Sequence, residues 1–468
     1  MTESQLFDAY NNIKIRGPER SEFFQWKEFT NIYLGFHRLS IMDQTVLADQ
    51  PFVFEDETRK VMLSCNGEIY NFEELIKEHE LPVKSHSDCE VILHLYLKYG
   101  VQKTIDLLNG EFAVFIFDLL KKQNELDLYL FRDHCGIRPL FYGEKDQSFG
   151  FCSEIKGLTH SLGTDKAEQI VDHIQQFPPR KFLKLRVTMG EDKRLAMKKE
   201  WTDYTTFQDI PITITDKQEA MEKIRKVFYK AVKDRIQSDR PMGALLSGGL
   251  DSSLTASIFA RELAKQGRKL YTFSIGMPGA TDRKYAEMVA EKIGSIHKHV
   301  EFSKEDFLGA VEKIVEVTET FDITTIRATT GNYLIGKWIS ENTDIKVVLI
   351  GDGSDELTSG YMYFFNAPSP LASHKENIRL IEDIHKYDVL RADRGVADNG
   401  LEARVPFLDK AFIRLYLSIE PKLRVPTMCD FGIDMEKALL RDAFKDEDLL
   451  PREVLYRRKE AFSDGVSS

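Results

Sequence analysis

The sequence predicts two fold classes in one chain. An α+β first half, with helices layered on antiparallel sheet, is followed by an α/β half built on a doubly wound parallel sheet with a helical C-terminal part. Three observations predict this. Up to about residue 195 short β-like runs dominate (32–36, 61–65, 112–117 and 126–131), interrupted by helical stretches at Phe72–His79 and 88–99. In the second of these Ile92, Leu95, Tyr96 and Tyr99 supply an apolar face. Strands, a helix pair and strands again imply helices packed on antiparallel sheet. From residue 216 strands and helices alternate: a helix over 216–238 with Ala220, Ile224, Val227, Phe228 and Ala231 at helical spacing, a strand at 242–246, a helix at 252–265, a strand at 270–275, a helix at 284–293 and a strand at 297–302. That alternation implies a parallel, doubly wound sheet. From about Leu371 the chain reads as helical. The expected domains are 1–195 and 216–468, joined by a linker at 196–215 within a stretch, 180–216, that is basic and then Thr-rich.

The 468 residues suffice for two or three domains with full cores. Lys and Arg number 64 against 75 Asp and Glu, a net charge of −11, which argues against a broad nucleic-acid surface but leaves room for a local basic pocket. No apolar run approaches the roughly 20 residues that cross a bilayer, and the first residues lack the basic start and apolar core of a secretory signal. Membrane and secreted readings are excluded on these grounds. Five dispersed cysteines with no Cys-x-x-Cys pair read as reduced thiols, neither a disulfide framework nor a zinc site, and point to a cytoplasmic protein.

The most informative segment is Ala244-Leu245-Leu246-Ser247-Gly248-Gly249-Leu250-Asp251-Ser252-Ser253. A buried strand ends in Ser-Gly-Gly and a helix begins. The glycines permit a close approach that side chains would block, and the helix N-terminus points free N–H groups at an anion. Ser247, Ser252 and Ser253 add hydroxyls; Asp251 could cap the helix or hold Mg²⁺ on a phosphate. Gly331–Lys337 copies most of a Walker A loop, but Trp338 stands where Ser or Thr should bind Mg²⁺. Gly351-Asp352-Gly353-Ser354-Asp355-Glu356 fails as a Rossmann fingerprint at its last glycine, and as an EF-hand because Leu357 replaces the turn glycine. His297 and His299 share a strand face but have no third ligand.

Ser247–Ser253 resembles the pyrophosphate loop of the ATP-pyrophosphatase superfamily. With Thr324-Thr325-Ile326-Arg327, Gly351–Leu357, residues 401–409 and residues 459–465, all in that order, the chain resembles glutamine-dependent asparagine synthetases over nearly its whole length. The resemblance implies attack of the aspartate β-carboxylate on the α-phosphorus of ATP, giving β-aspartyl-AMP and pyrophosphate, after which ammonia displaces AMP. It implies ATP and Mg²⁺. Leu245, Leu246, Ser247, Gly248, Gly249, Asp251, Ser252, Ser253, Ile275, Ile350 and Gly351 would bind ATP and pyrophosphate, with Asp251 and Asp355 at the metal. Asp352, Arg327 and Lys459 would be the catalytic set, and Thr324, Thr325 and Arg327 would hold aspartate. A departing pyrophosphate needs positioned cations and N–H groups, and the planar fork of Arg suits a carboxylate or phosphate. The family often has Ser and Glu where this chain has Ile350 and Asp352, which would remove one ATP contact and shift the metal geometry.

The front half, through Arg16–Glu19, Arg38–Asp43, Asn66–Asn71, Ser87–Glu90 and Arg132–Gly136, resembles class II glutamine amidotransferase domains, which are N-terminal-nucleophile helix/sheet sandwiches. Glutamine would be held by Arg38, Leu39, Ser40, Ile41, Met42, Asn66, Gly67, Glu68 and Asp88. Arg38 would take its α-carboxylate, Asp88 its ammonium, and Asn66 with Gly67 would form the oxyanion hole; as a dipeptide, Asn-Gly also reads as a simple turn. That family acts through an N-terminal cysteine, whereas this chain starts Met1-Thr2-Glu3. The expectation is a fragment or misplaced start of a glutamine-dependent enzyme, in which the chain as written does not hydrolyse glutamine. Alternatives are a β-lactam synthetase-like ligase on the same frame and a silent nucleotide- or partner-binding relative. Expected partners are small molecules, neither nucleic acid nor membrane, and a homodimer is among the assemblies allowed.

Overall fold

The computed structural model describes residues 2–27, 29, 31–123, 125–146, 148–159, 162, 170, 172–189, 195–430 and 432–460. The chain forms two compact units, Met1–Thr205 and Thr206–Ser468.

In the first unit β1 (Arg20–Gln25) pairs with β2 (Tyr33–Arg38). β3 (Phe52–Glu55), β4 (Arg59–Ile69), β5 (Gly110–Leu120), β6 (Glu125–Arg132), β10 (Lys181–Met189) and β11 (Leu195–Asp203) form an antiparallel sheet ordered β11-β10-β6-β5-β4-β3. A three-stranded sheet, β8 (Ser148–Cys152), β7 (Phe141–Lys145) and β9 (Ile174–Gln176), faces it through the rings of Phe151, Phe115 and Phe117. The helix Glu90–Leu107 lies on β3 and β4, and the helix Phe72–His79 packs against it, giving the layered arrangement that the strand and helix pattern implies. The core holds Trp26, Phe117, Leu126, Leu128, Leu130, Phe177, Leu183 and Leu185.

One stretch differs from its reading. Residues 181–203, which lie in the basic stretch and whose last eight fall in the expected linker 196–215, are the hairpin β10–β11, in register from Lys181 opposite Asp203 to Met189 opposite Leu195. Leu183, Leu185 and Val187 enter the core, while on the other face Arg186 and Lys184 hold Asp127 at 2.7 and 3.0 Å. Lys184 and Arg186 are ion-pair partners of β6, while Lys181 pairs with Asp203 of β11 and Lys199 with Glu144 of β7. Trp201, on β11, packs on Tyr142 and Phe177.

The second unit opens with the helix Lys217–Asp234, capped by Asp216, whose Oδ1 accepts from the Glu219 N–H at 2.8 Å. Its sheet is wholly parallel, ordered β14 (Ile296–Glu301), β13 (Tyr271–Gly276), β12 (Met242–Leu245), β15 (Val347–Leu349), β16 (Glu402–Arg404). β12 is central: the chain winds outward through β13 to β14, then returns to β15 on β12's other side. This is the topological switch point where open α/β sheets bind ligands. The C-terminal part is helical apart from a short antiparallel pair, Thr427–Met428 with Asp434–Met435, and β16, inside the segment 401–409. That segment braces the fold rather than the cleft. Buried Arg404 donates to the Arg235 and Gln237 carbonyls at 2.9 and 2.6 Å, and Asp409 caps the helix Lys410–Leu417 and pairs with Arg235 at 2.9 Å. The Walker-like Gly331–Lys337 lies inside the helix Ile323–Asn342, with no loop to hold a phosphate. Among the described residues no helix is long and apolar enough to cross a membrane.

Candidate functional site

Two loops meet at the carboxyl ends of β12 and β15. After β12, Gly248 has φ 76°, and a Cβ there would lie 2.5 Å from the Ala286 nitrogen and 2.6 Å from Tyr285 Cβ. Only glycine lets the loop rest on the helix Thr281–Ile293. Gly351, after β15, is constrained by contact instead: its Cβ would lie 2.6 Å from the Ser252 nitrogen and 2.9 Å from the Asp251 carbonyl carbon. The loops touch backbone to backbone. Ser252 Oγ sits 3.0 Å from Ser247 Oγ and accepts the Ser247 N–H at 3.2 Å, tying the glycine loop to the first turn of the helix Leu250–Ala264.

Charges converge over this junction. Asp251 accepts from Ser354 Oγ at 2.7 Å and from Lys437 Nζ at 2.5 Å. Asp355 faces the same Lys437 at 2.6 Å and Lys459 at 2.5 Å. Burial opposes the ionised form of Asp355, yet the two lysines hold its carboxyl well below the usual range. Burial likewise disfavours the Lys459 ammonium, and Asp355 and Asp251 more than restore it. Asp352 is different: burial pushes its carboxyl up to about 6, only partly offset by Arg391, whose Nε is 3.9 Å away. Glu356 is raised well above its ordinary value by burial and by Asp388 and Asp355, and accepts the Tyr361 hydroxyl.

These groups line a cleft of about 1130 Å³. Its walls include Leu245, Leu246, Ser247, Gly249, Asp251, Ser252, Ile275, Ile350, Gly351, Asp352, Asp355 and Lys459, together with Thr324, Thr325 and Arg327 from the first turn of the helix Ile323–Asn342. Asp322 caps that helix, accepting the Thr325 N–H at 2.7 Å. Gly248 and Ser253 are not cleft walls. Ser253 is fully buried with its hydroxyl turned into the core, and its N–H bonds the Gly249 carbonyl at 3.1 Å, so it offers the cleft neither donor. Of residues 459–465, Lys459 and Glu460 are placed, and 461–465 lie outside the described residues.

In the first unit, Asn66-Gly67 is not a turn but lies inside β4, where Gly67 has φ 138° and passes so close to β5 that a Cβ would sit 1.9 Å from the Glu111 oxygen. Asn66 Nδ2 donates to Ser153 Oγ at 3.3 Å, and buried Asp88 accepts the Ile69 N–H at 2.6 Å. Buried Glu68 continues the strand. Arg38 is turned into its own loop, donating to the Thr45 carbonyl at 3.0 Å, Asp49 at 2.6 Å, the Met42 carbonyl at 3.1 Å and the Asp43 carbonyl. In this conformation its fork shapes the loop that carries Leu39, Ser40, Ile41 and Met42. The Ser40 N–H bonds Glu19 at 2.8 Å, and Asp43 accepts the His86 N–H at 2.8 Å. Loop, strand and the turn before Asp88 thus form one hydrogen-bonded cluster.

The asparagine synthase family matches residues 223–375 and 366–468, and the glutamine amidotransferase domain family matches residues 1–188. The glutamine-hydrolysing asparagine synthetases of Gallus gallus and Homo sapiens are each 40% identical over 470 residues, and that of Rattus norvegicus 41% over 473, covering 97% of this chain and 81% of each relative. The chain belongs to the asparagine synthetase family. Its two halves are therefore an N-terminal-nucleophile-type amidotransferase fold and an ATP-pyrophosphatase fold.

Several groups that this asparagine synthetase-family chain brings to the cleft escape sequence reasoning. Lys437 stands in left-handed conformation (φ 57°) ahead of the helix Ala438–Phe444, and no local pattern marks it. Arg457 clamps the glycine loop: it donates to the Gly248 carbonyl at 3.3 Å and to Asp282 at 2.6 Å, and its guanidinium lies 4.1 Å from the centre of the Tyr285 ring. Its position two residues before Lys459 was the available signal. Asp388 and Arg391 face Asp352 from the helix Asp388–Ala397. His297 and His299 share Ser274 Oγ at 3.0 and 2.8 Å, hydroxyl partners rather than ligands of a metal.

Proposed function

We propose that this chain makes asparagine from aspartate and ATP through β-aspartyl-AMP, releasing pyrophosphate and AMP. The observation that carries the reading is the meeting of Asp251, Asp355, Lys437 and Lys459 over a glycine loop at the sheet's switch point. Backbone N–H groups of that loop and the two lysines neutralise the pyrophosphate as it leaves. Ile275 and Ile350 form the apolar wall for the nucleoside. Thr324, Thr325 and Arg327 hold aspartate by its carboxylates, so that its β-carboxylate oxygen attacks the α-phosphorus in line. Asp352, with its carboxyl near 6, takes a proton from the incoming ammonia as the C–N bond forms and AMP departs.

Mg²⁺ fits the donor set. Asp251 and Asp355, whose oxygens lie 2.5 and 2.6 Å from the Lys437 ammonium, would hold the ion. When bound, the ion would neutralise phosphate charge. Glutamine in the first unit, or free ammonia, is the nitrogen source; a cytoplasmic homodimer that binds neither nucleic acid nor membrane completes the proposal. The test is product analysis with ATP, Mg²⁺ and aspartate, with ammonium in one tube and glutamine in another. Asparagine with equimolar AMP and pyrophosphate is the expected result, and absence of AMP in both tubes refutes the reading.

A further inference from the structure

Two carboxylates facing each other across a cleft repel, and a positive group must lie between them. Here that group is Lys437, whose Nζ is 2.5 Å from Asp251 Oδ2 and 2.6 Å from Asp355 Oδ1, on a side chain only 2% exposed. Its path is closely fitted: a Cβ on Gly360 would fall 2.3 Å from Lys437 Cε. Lys459 holds the other oxygen of Asp355 at 2.5 Å. Two carboxylates and two ammonium groups sum to zero charge. A bare divalent cation therefore meets no net attraction, and it cannot reach both carboxylates unless Lys437 leaves a buried position with nothing to receive it.

We propose that Lys437 is the resident counter-cation of the divalent-metal site, so that metal enters only together with a polyphosphate, whose oxygens take Lys437 over. The proposal rests on the nucleotide reading of the cleft. A metal–pyrophosphate unit carries net negative charge, so the displaced ammonium gains a new partner within the swing of one side chain. A bare cation offers it none. Metal and polyphosphate then bind as mutually dependent ligands, each raising the other's affinity.

The test needs no turnover. Binding of Mn²⁺ to the full chain is followed by equilibrium dialysis, with and without inorganic pyrophosphate on both sides of the membrane, so that Mn²⁺ held by free pyrophosphate is not counted as bound to the protein. Lys437→Met and Lys437→Gln should bind bare Mn²⁺ about tenfold or more tightly than wild type, because an uncompensated carboxylate pair is left for it. Lys437→Arg, which keeps the charge, should stay as weak as wild type. Pyrophosphate should tighten Mn²⁺ binding in wild type far more than in Lys437→Met. Wild type binding bare Mn²⁺ as tightly as the neutral variants, or equal tightening by pyrophosphate in both, overturns the proposal while leaving the nucleotide reading in place. Should neither neutral variant fold, wild type alone decides: bare Mn²⁺ bound as tightly as Mn²⁺ with pyrophosphate overturns it. No uptake of Mn²⁺ with pyrophosphate by any form overturns the nucleotide reading and the proposal with it.

Discussion

Replacing Gly351 by alanine tests whether contact between the two loops sets the chemistry. The new Cβ would sit 2.6 Å from the Ser252 nitrogen, where ordinary contact begins at 3.4 Å. The loops must part by roughly 0.8 Å, and both sides are backbone, so no side chain can swing away. Overpacking of this kind costs about 1–3 kcal/mol. A displacement near 1 Å between groups that hold one substrate lowers rates by about 100-fold. Aspartate-dependent exchange of pyrophosphate into ATP should therefore fall about 100-fold in Gly351→Ala, with a lowered Tm. Gly267→Ala is the control: that glycine has φ 69° with nothing within 4 Å of its Cβ, so only the left-handed strain of about 1 kcal/mol applies and exchange should not change. Wild-type exchange and an unchanged Tm in Gly351→Ala would refute the reasoning, because the loops would then separate without cost.

Asp352→Asn should remove an acid limb from the pH profile of asparagine synthesis: in wild type kcat should fall as pH drops through about 6, and in the variant the limb should be absent. In stability the sign reverses. A carboxyl with its native value above the unfolded one, ~3.9, makes wild type lose stability relative to Asp352→Asn as pH rises from about 4 to 6, which urea titration at several pH values reads directly. Arg457→Ala leaves buried Asp282 unpaired (the side chains are 7% and 8% exposed) and should cost about 3–5 kcal/mol, with Arg457→Lys recovering part of that in thermal melts. Asp127→Asn removes the charge of a buried carboxylate, but its partners Lys184 and Arg186 are 27% and 40% exposed and return to water, so its cost should stay below that of Arg457→Ala, about 1–2 kcal/mol by the same assay.

The glycine loop was legible because its chemistry is local: strand, Ser-Gly-Gly and helix start are contiguous, and so is the Gly351–Leu357 turn after β15. Parallel sheet and helices followed from alternation. Lys437 and Arg457 were not legible as parts of the cleft, because the partners that place them there, Asp251 and Asp282, lie 186 and 175 residues away. The same distance explains the hairpin β10–β11: Lys184 and Arg186 read as solvated until Asp127, 59 residues from Arg186, is brought beneath them. Ser253 was misplaced for a geometric reason, since one residue beyond Ser252 the helix has turned by about 100° and points its hydroxyl inward. Arg38 shows the limit of residue type as a guide, for a guanidinium can serve its own loop as well as a ligand.

The order in which the charges occur along the chain has a consequence for synthesis. The parallel sheet is complete once β16 has been made, which brings Asp251 and Asp355 together, but Lys459 follows some 55 residues later and Lys437 about 33. At ~5–20 residues per second the nascent unit spends roughly 2–7 s with two facing carboxylates and neither ammonium. During those seconds its sheet depends on cations borrowed from solution, so the yield of folded chain from the ribosome should depend on ionic conditions to which the finished protein is indifferent.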